Sequence, residues 1–266
     1  MTWGPVLARL TDAMSCSRRV FVGGMGASVL GACASANPVA PAVGLSGEGA
    51  PDTSTFSALT GFCDGVDPVT AAEFAERRAV AAQVLEEASM GALWMEAGPT
   101  LTYFTGVRWG RSERPLLCCL SSDGSYGFVA PAFEERSLRE RAGEVEVITW
   151  DEHLSAYAGA ADLAGALGVV GREASLESTA RSFVRGGLEA GGVASGWRRE
   201  APVGRASRLV KSTRELARLR RATEATKAAL QTVAEVVTPG MTEDDVRGLV
   251  TAAQVEAGLE RVWALV

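Results

Sequence analysis

The sequence predicts an α/β protein, with a central mixed sheet flanked by helices and two further amphipathic helices after it. Three observations lead there. Short β-prone apolar runs alternate with alanine-rich, charged stretches of helical period between residues 70 and 188. Ser122-Asp123-Gly124 separates two of those runs as a hairpin turn would. The apolar pattern lapses over residues 199–208, where basic residues gather, and then returns at steps of three and four, as on one face of a long helix. With 266 residues, 47% of them hydrophobic, the chain can bury the core of one large or two modest domains. Its 30 glycines and many alanines follow no fixed period and read as composition bias. The net charge of −6, with cations scattered among acids, offers no basic stripe to a phosphate backbone and argues against nucleic acid as a partner.

Residues 1–36 read as an export signal. Arg18 and Arg19 precede an uncharged, weakly apolar run over residues 20–32. That run is too short for a permanent span, since a bilayer core of about 30 Å needs roughly twenty residues. Ser17-Arg18-Arg19-Val20-Phe21-Val22 resembles the twin-arginine export motif. Leu30-Gly31-Ala32-Cys33 resembles a bacterial lipobox, with Cys33 as the acylated residue; the alternative is cleavage near residues 34–36 with Cys33 discarded. Met14 is an alternative start. These features predict an exported protein, periplasmic or held to a membrane by lipid. Residues 37–66, rich in Pro, Gly, Ser and Ala, read as a flexible tether, and the folded body is expected to begin between Phe56 and Asp67.

Residues 67–208 carry the alternating body. Residues 70–87 suit a helix with Ala72, Phe74, Ala75, Val80, Val84 and Leu85 inward. A strand fits 92–95, Gly98-Pro99 turns the chain, and 101–105 is β-prone. Residues 116–120 and 126–130 form the hairpin, followed by helix 133–141 and strand 145–150. Helix 154–167, a short run at 168–171 and a helix around 176–188 complete the pattern. Cys118 and Cys119, adjacent in an apolar run, would point to opposite faces as packing residues.

From Thr213 the long stripe comprises Leu216, Leu219, Ala222, Thr226, Ala229, Leu230, Val233 and Val237, and Pro239-Gly240 ends it. Thr242 can cap the next helix, with Asp244 and Asp245 in its first turn as dipole partners. Val246, Leu249, Val250 and Ala253 form its buried side, and residues 261–266 look like the start of a strand.

Two stretches carry a family resemblance. Leu209-Val210-Lys211-Ser212-Thr213-Arg214-Glu215-Leu216, with Val237-Thr238-Pro239-Gly240-Met241-Thr242-Glu243 further on, resembles the start of the catalytic domain of the pita-bread metallopeptidases. These are the Xaa-Pro aminopeptidases, Xaa-Pro dipeptidases and creatinase. Leu101-Thr102-Tyr103-Phe104-Thr105-Gly106 and Glu113-Arg114-Pro115 resemble the smaller amino-terminal domain of the same group. The resemblance implies a creatinase-type amino-terminal α/β domain at 67–208 and the start of a pita-bread domain at 209–266. It implies hydrolysis of peptides at proline by two divalent ions, manganese, cobalt or zinc, and homodimers in complete relatives. In the family the ions are held by two Asp, one His and two Glu from strands further along the catalytic domain, and none of those motifs occurs here. The expectation is therefore no catalytic and no metal residue in this polypeptide, and no hydrolysis by it alone. The loop with Arg108, Trp109 and Arg111 is the candidate substrate rim, since Trp and Arg suit an amphipathic contact; the alternative is a tryptophan packed under its own loop.

The remaining signals are weak. His153, the one histidine, follows Asp151-Glu152, but consecutive residues do not aim at one point. Gly165, Gly168 and Gly171 lack the strand-then-helix setting of a dinucleotide loop, and no nucleophile elbow is present. A rival class is a non-catalytic, lipid-tethered α/β interaction domain. In either case, the apolar stripes of residues 213–258 are expected to lack a cover.

Overall fold

A computed structural model describes residues 53–199 and 203–266 of the chain. A 3-10 helix, Thr53–Leu59, opens it, so the end of the expected tether is structured. Phe56 and Leu59 are buried there against the two C-terminal helices.

Helix α1 (Ala71–Glu87) starts at a capping box in which Thr70 accepts from the Glu73 amide and the Glu73 carboxylate accepts from the Thr70 amide. Its buried face differs from expectation: Glu73, Ala81, Ala82 and Leu85 are inside, while Ala72, Ala75 and Val80 are exposed. Alanines define a face only weakly, and the orientation is set instead by the ion pairs Glu73 makes with a distant helix. Strand β1 (Ala92–Glu96) follows, buried along its whole length.

Helix α2 (Pro99–Thr105) replaces the expected β-prone run. Pro99 sits in the first turn, where its fixed φ suits a helix and its missing N–H costs nothing. Gly106 ends the helix at φ 77°, and a Cβ there would meet the Phe74 ring at 2.7 Å. Arg77 and Arg78 of α1 donate to the carbonyls of Tyr103 and Phe104 at 3.0 and 2.9 Å, satisfying acceptors the short helix leaves open. β-branched and aromatic residues therefore form a helix because its ends are met from outside.

Strands β2 (Leu117–Ser121) and β3 (Tyr126–Pro131) form the expected hairpin, with Gly124 at φ 90° in its turn. A 3-10 turn leads into α3 (Glu135–Ala142), then β4 (Glu146–Trp150) and α4 (Ala156–Ala166), which is capped by Ser155. Strand β5 (Glu173–Leu176), helix α5 (Ser182–Ala190) and strand β6 (Gly196–Arg199) finish the sheet. Neither β5 nor β6 is anticipated by the sequence reading. Both are four residues long and poor in β-branched side chains, and they exist as pairings, β5 lying between β1 and β6. The glycines at 168 and 171 serve the preceding turn, both at positive φ.

The sheet order is β4-β3-β2-β1-β5-β6, with β2 antiparallel to both its neighbours and the other pairings parallel. One core gathers Leu85, Leu93, Met95, Phe104, Cys118 and Phe128; the other gathers Trp94, Leu117, Cys119, Val129, Leu163 and Val184. The adjacent cysteines thus divide between the two faces, as expected.

Helix α6 (Gly204–Leu209) precedes α7 (Thr213–Val236) and α8 (Glu243–Glu256), each of the latter two starting at a capping box. The inward line of α7 is Ala225, Ala229 and Val233, whereas Leu216 and Leu230 of the expected stripe are exposed. Leu249, Val250 and Ala253 of α8 are buried as expected. The expectation that these stripes lack a cover is corrected: they pack on each other and on Phe56 and Leu59. Residues 261–266 form no strand, and Trp263 and Leu265 are exposed.

Candidate functional site

All strands except β2 run in one direction, so the carboxyl ends of β1, β3, β4 and β5 share one edge, where open α/β sheets commonly receive ligands. The loop of residues 106–115 enters β2 at this same edge, because Leu117 pairs with Glu96.

Two buried carboxylates stand beneath that loop. Glu96 ends β1 at 0% exposure, and Glu177 follows β5 at 2%. Isolated charges there would be costly, and two guanidiniums compensate them. Arg181 donates its Nε to Glu96 Oε1 at 2.6 Å and its backbone N–H to Oε2 at 3.1 Å. Glu177 Oε1 accepts from the Glu96 amide at 3.2 Å and from Arg111 Nη2 at 3.4 Å, while Thr179 donates to Oε2 at 3.0 Å. Burial raises the pKa of Glu177 above the usual carboxylate value, against the lowering influence of Thr100, Thr179, the Glu96 amide and Arg111.

The three candidate rim residues separate. Arg111 is a fastener rather than a free contact: its Nε donates to the Ala97 carbonyl at 2.8 Å and its Nη2 to Thr179 at 3.1 Å, besides Glu177. Trp109 is half-buried against the first core with the Arg141 guanidinium 4.8 Å from its ring centroid, which is the packed alternative. Arg108 has its pKa lowered by burial first and by Arg261 second, with Glu260 opposing, so it lies by the C-terminal segment. Arg18, Arg19 and Cys33 lie outside the described residues.

A second charged cluster joins α1 to α7. Arg218 grips Glu73 with two contacts of 2.8 Å and donates to the carbonyls of Asp67 and Pro68. Arg77 donates to Glu215 at 3.1 Å and lies over the Tyr103 ring at 4.2 Å. Tyr103 in turn donates to the Ser207 carbonyl at 2.9 Å. The Arg218 hydrogen bonds are the largest influence on Glu73 and hold its pKa down at about 2. A groove of about 180 Å³ beside this cluster is lined by Glu76, Arg77, Val80, Tyr103 and Arg214 among others.

The groups available for chemistry are few. Among the described residues no three His, Cys, Asp or Glu side chains converge as a metal site would require, so two divalent ions find no fitting donor set there. His153 is exposed on the turn after β4. Burial pushes the thiols of Cys118 and Cys119 far above their ordinary value, which leaves them without thiolate character. Asp245 belongs to the cap of α8, and Asp244 pairs with Arg247. Sequence reasoning missed Glu73, Glu96 and Glu177. Two of them left a signal: Glu73 as the fourth residue of the capping-box pattern Thr70-Ala71-Ala72-Glu73, and Glu96 as the acid closing the apolar strand Ala92-Leu93-Trp94-Met95-Glu96.

Comparison with known proteins gives consistent results. Residues 77–186 match the sequence profile of the Creatinase/Prolidase N-terminal domain. An uncharacterized peptidase of Schizosaccharomyces pombe is 30% identical over 202 residues, covering 70% of this chain and 43% of that protein. The crystal structure of dipeptidase PepE from Mycobacterium ulcerans superposes with a TM-score of 0.59 at 27% identity, over 69% of this chain and 49% of that one. A prolidase from Thermococcus sibiricus, at TM-score 0.57 and 20% identity, over 66% of this chain and 48% of that one, shares the fold. The chain spans less than half the length of each of these relatives.

Proposed function

Residues 77–186 are a creatinase/prolidase N-terminal domain, and from that premise we propose that the chain is the amino-terminal portion of an exported bacterial peptidase acting on peptides at proline. The observation that supports this most is the 27% identity to a solved dipeptidase over 69% of the chain. The proline preference rests on the motif resemblance around Tyr103 and Pro239. Within such an enzyme the described residues offer a peptide a rim and a support. The reacting centre, with its two divalent ions, falls to residues other than those described. The reading takes residues 67–208 as the amino-terminal domain and assigns α7 and α8, within 209–266, to the start of the catalytic domain.

Export through the Arg18-Arg19 signal and lipid attachment at Cys33 belong to the same reading, as does assembly with a second copy. A purified 266-residue chain supplied with manganese is expected to give no Xaa-Pro cleavage above a chelated control, whereas the full product of its reading frame cleaves. Turnover by the short chain, or none by the full product, would overturn the reading. The latter outcome would favour the non-catalytic interaction domain.

A further inference from the structure

The core between α7 and α8 is short of bulk. Ala225, Ala229, Ala253 and Ala257 are four of its nine buried members, and the two helices add only Val233, Leu249 and Val250. Its largest buried side chain, Phe56, and one of its two leucines, Leu59, come from the 3-10 helix Thr53–Leu59, which packs on α7 and α8 together. Three positions apart, these two side chains share one side of a 3-10 turn and fill the seam as a pair. A helix pair with so little apolar volume of its own gains most of its stability from what packs on it. Among the described residues, no buried hydrophobic side chain of α7 or α8 belongs to either core of the sheet, and α1 meets α7 through the ion pairs of Glu73, Glu76 and Arg77.

The segment that carries Phe56 and Leu59 continues along α7 towards its start. Thr60 hydrogen-bonds Glu256 at the end of α8, and Cys63 lies against Gly258, where an added Cβ would stand 3.1 Å from the Cys63 Cβ. Phe62 has the Arg221 guanidinium 5.7 Å from its ring centroid, and the carbonyls of Asp67 and Pro68 accept from Arg218 at 2.8 and 3.0 Å. Glu76, in α1, accepts from Arg214 at 2.7 Å. As the chain advances from Phe62 to Glu76, its partners step back from Arg221 to Arg214, so it runs antiparallel to α7.

We propose that residues 53–68 are an intramolecular strap: Phe56 and Leu59 dock into the α7–α8 seam, Arg218 bolts the far end, and the segment thereby seats the helix pair on the sheet body. The strap lies ahead of residues 77–186, the part that matches the family profile, and so adds to that domain from outside it. That the seated pair opens a catalytic domain rests on the proposed function. The strap itself does not, because its readout is amide exchange rather than turnover.

Hydrogen exchange of the 266-residue chain, with β2 and β3 as internal reference, tests the proposal. In Phe56→Ser/Leu59→Ser the protection of residues 219–236 and 249–256 is expected to fall about tenfold or more, while β2 and β3 stay within about twofold of wild type. The effect should also run the other way. Val233→Ala, a milder change on α7, should speed exchange about threefold or more at the amides of Thr60, Phe62 and Asp64, which donate to carbonyls within the strap. It supplies the test if the double variant fails to fold. Unchanged protection of α7 and α8 in the double variant, or of the strap in Val233→Ala, would refute the proposal. An equal fall in β2 and β3 would refute it too, by making these residues part of one undivided core.

Discussion

Two clusters of glutamates and arginines in this protein have opposite electrostatic outcomes. At the α1–α7 junction, Arg218 meets Glu73 through two contacts of 2.8 Å and the carboxylate is held down at about 2. At the strand ends, Arg111 reaches Glu177 at 3.4 Å, and burial raises that carboxylate instead. Glu73 also has Arg214 at 3.4 Å, so it is the better served in number of cations as well as in closeness. A short two-contact grip outweighs desolvation, and a single long contact does not. The first cluster favours the charged form of its carboxylate, and the second disfavours it.

The largest expected effect breaks the joint. Arg218→Met strands Glu73 without its grip and should destabilise the chain by about 3–5 kcal/mol in denaturant titrations. A loss below about 1 kcal/mol would show the grip to be ornamental. Next in size is the acid limb. The folded-state pKa of Glu73 is depressed to about 2, so its contribution is fully present above the ordinary value of 4.5 and is lost as pH falls from there towards 2. Glu73→Gln should remove about 2 kcal/mol at neutral pH and flatten that limb, as thermal melts over the acid range would show.

Glu177→Gln should differ in sign. A carboxylate whose folded pKa is raised binds its proton more tightly in the fold, so ionisation above that pKa costs stability and protonation below it restores stability. The substitution is expected to leave global stability within about 1 kcal/mol, neutral or improved, at neutral pH. A loss as large as that of Glu73→Gln would erase the contrast between the clusters. Smallest of all, Asp244→Asn removes an exposed pair with Arg247 at the start of α8 and should cost about 0.5 kcal/mol, measurable by the same melts.

The sequence made some of this visible and hid the rest for physical reasons. The β2–β3 hairpin, the cap at Thr242 and the α7–α8 helices follow from local chemistry, and they stand where the residues suggest. Helix α2 was hidden because β-prone Tyr103, Phe104 and Thr105 become helical only when Arg77 and Arg78 receive the last carbonyls. Strands β5 and β6 were hidden because Glu-Ala-Ser-Leu and Gly-Trp-Arg-Arg carry no strand signal apart from their neighbours. The rim was legible as a loop but not as an arrangement. Arg111 joins Glu177, 66 positions away, and no local pattern announces such a meeting.

Cys118 and Cys119 hang from opposite sides of β2, each sealed in a different core. An alkylating reagent can reach neither while that central strand stays paired, and once it leaves the sheet both become available together. Labelling at these two positions should therefore advance in step, so the chain carries its own gauge of how often its middle comes apart.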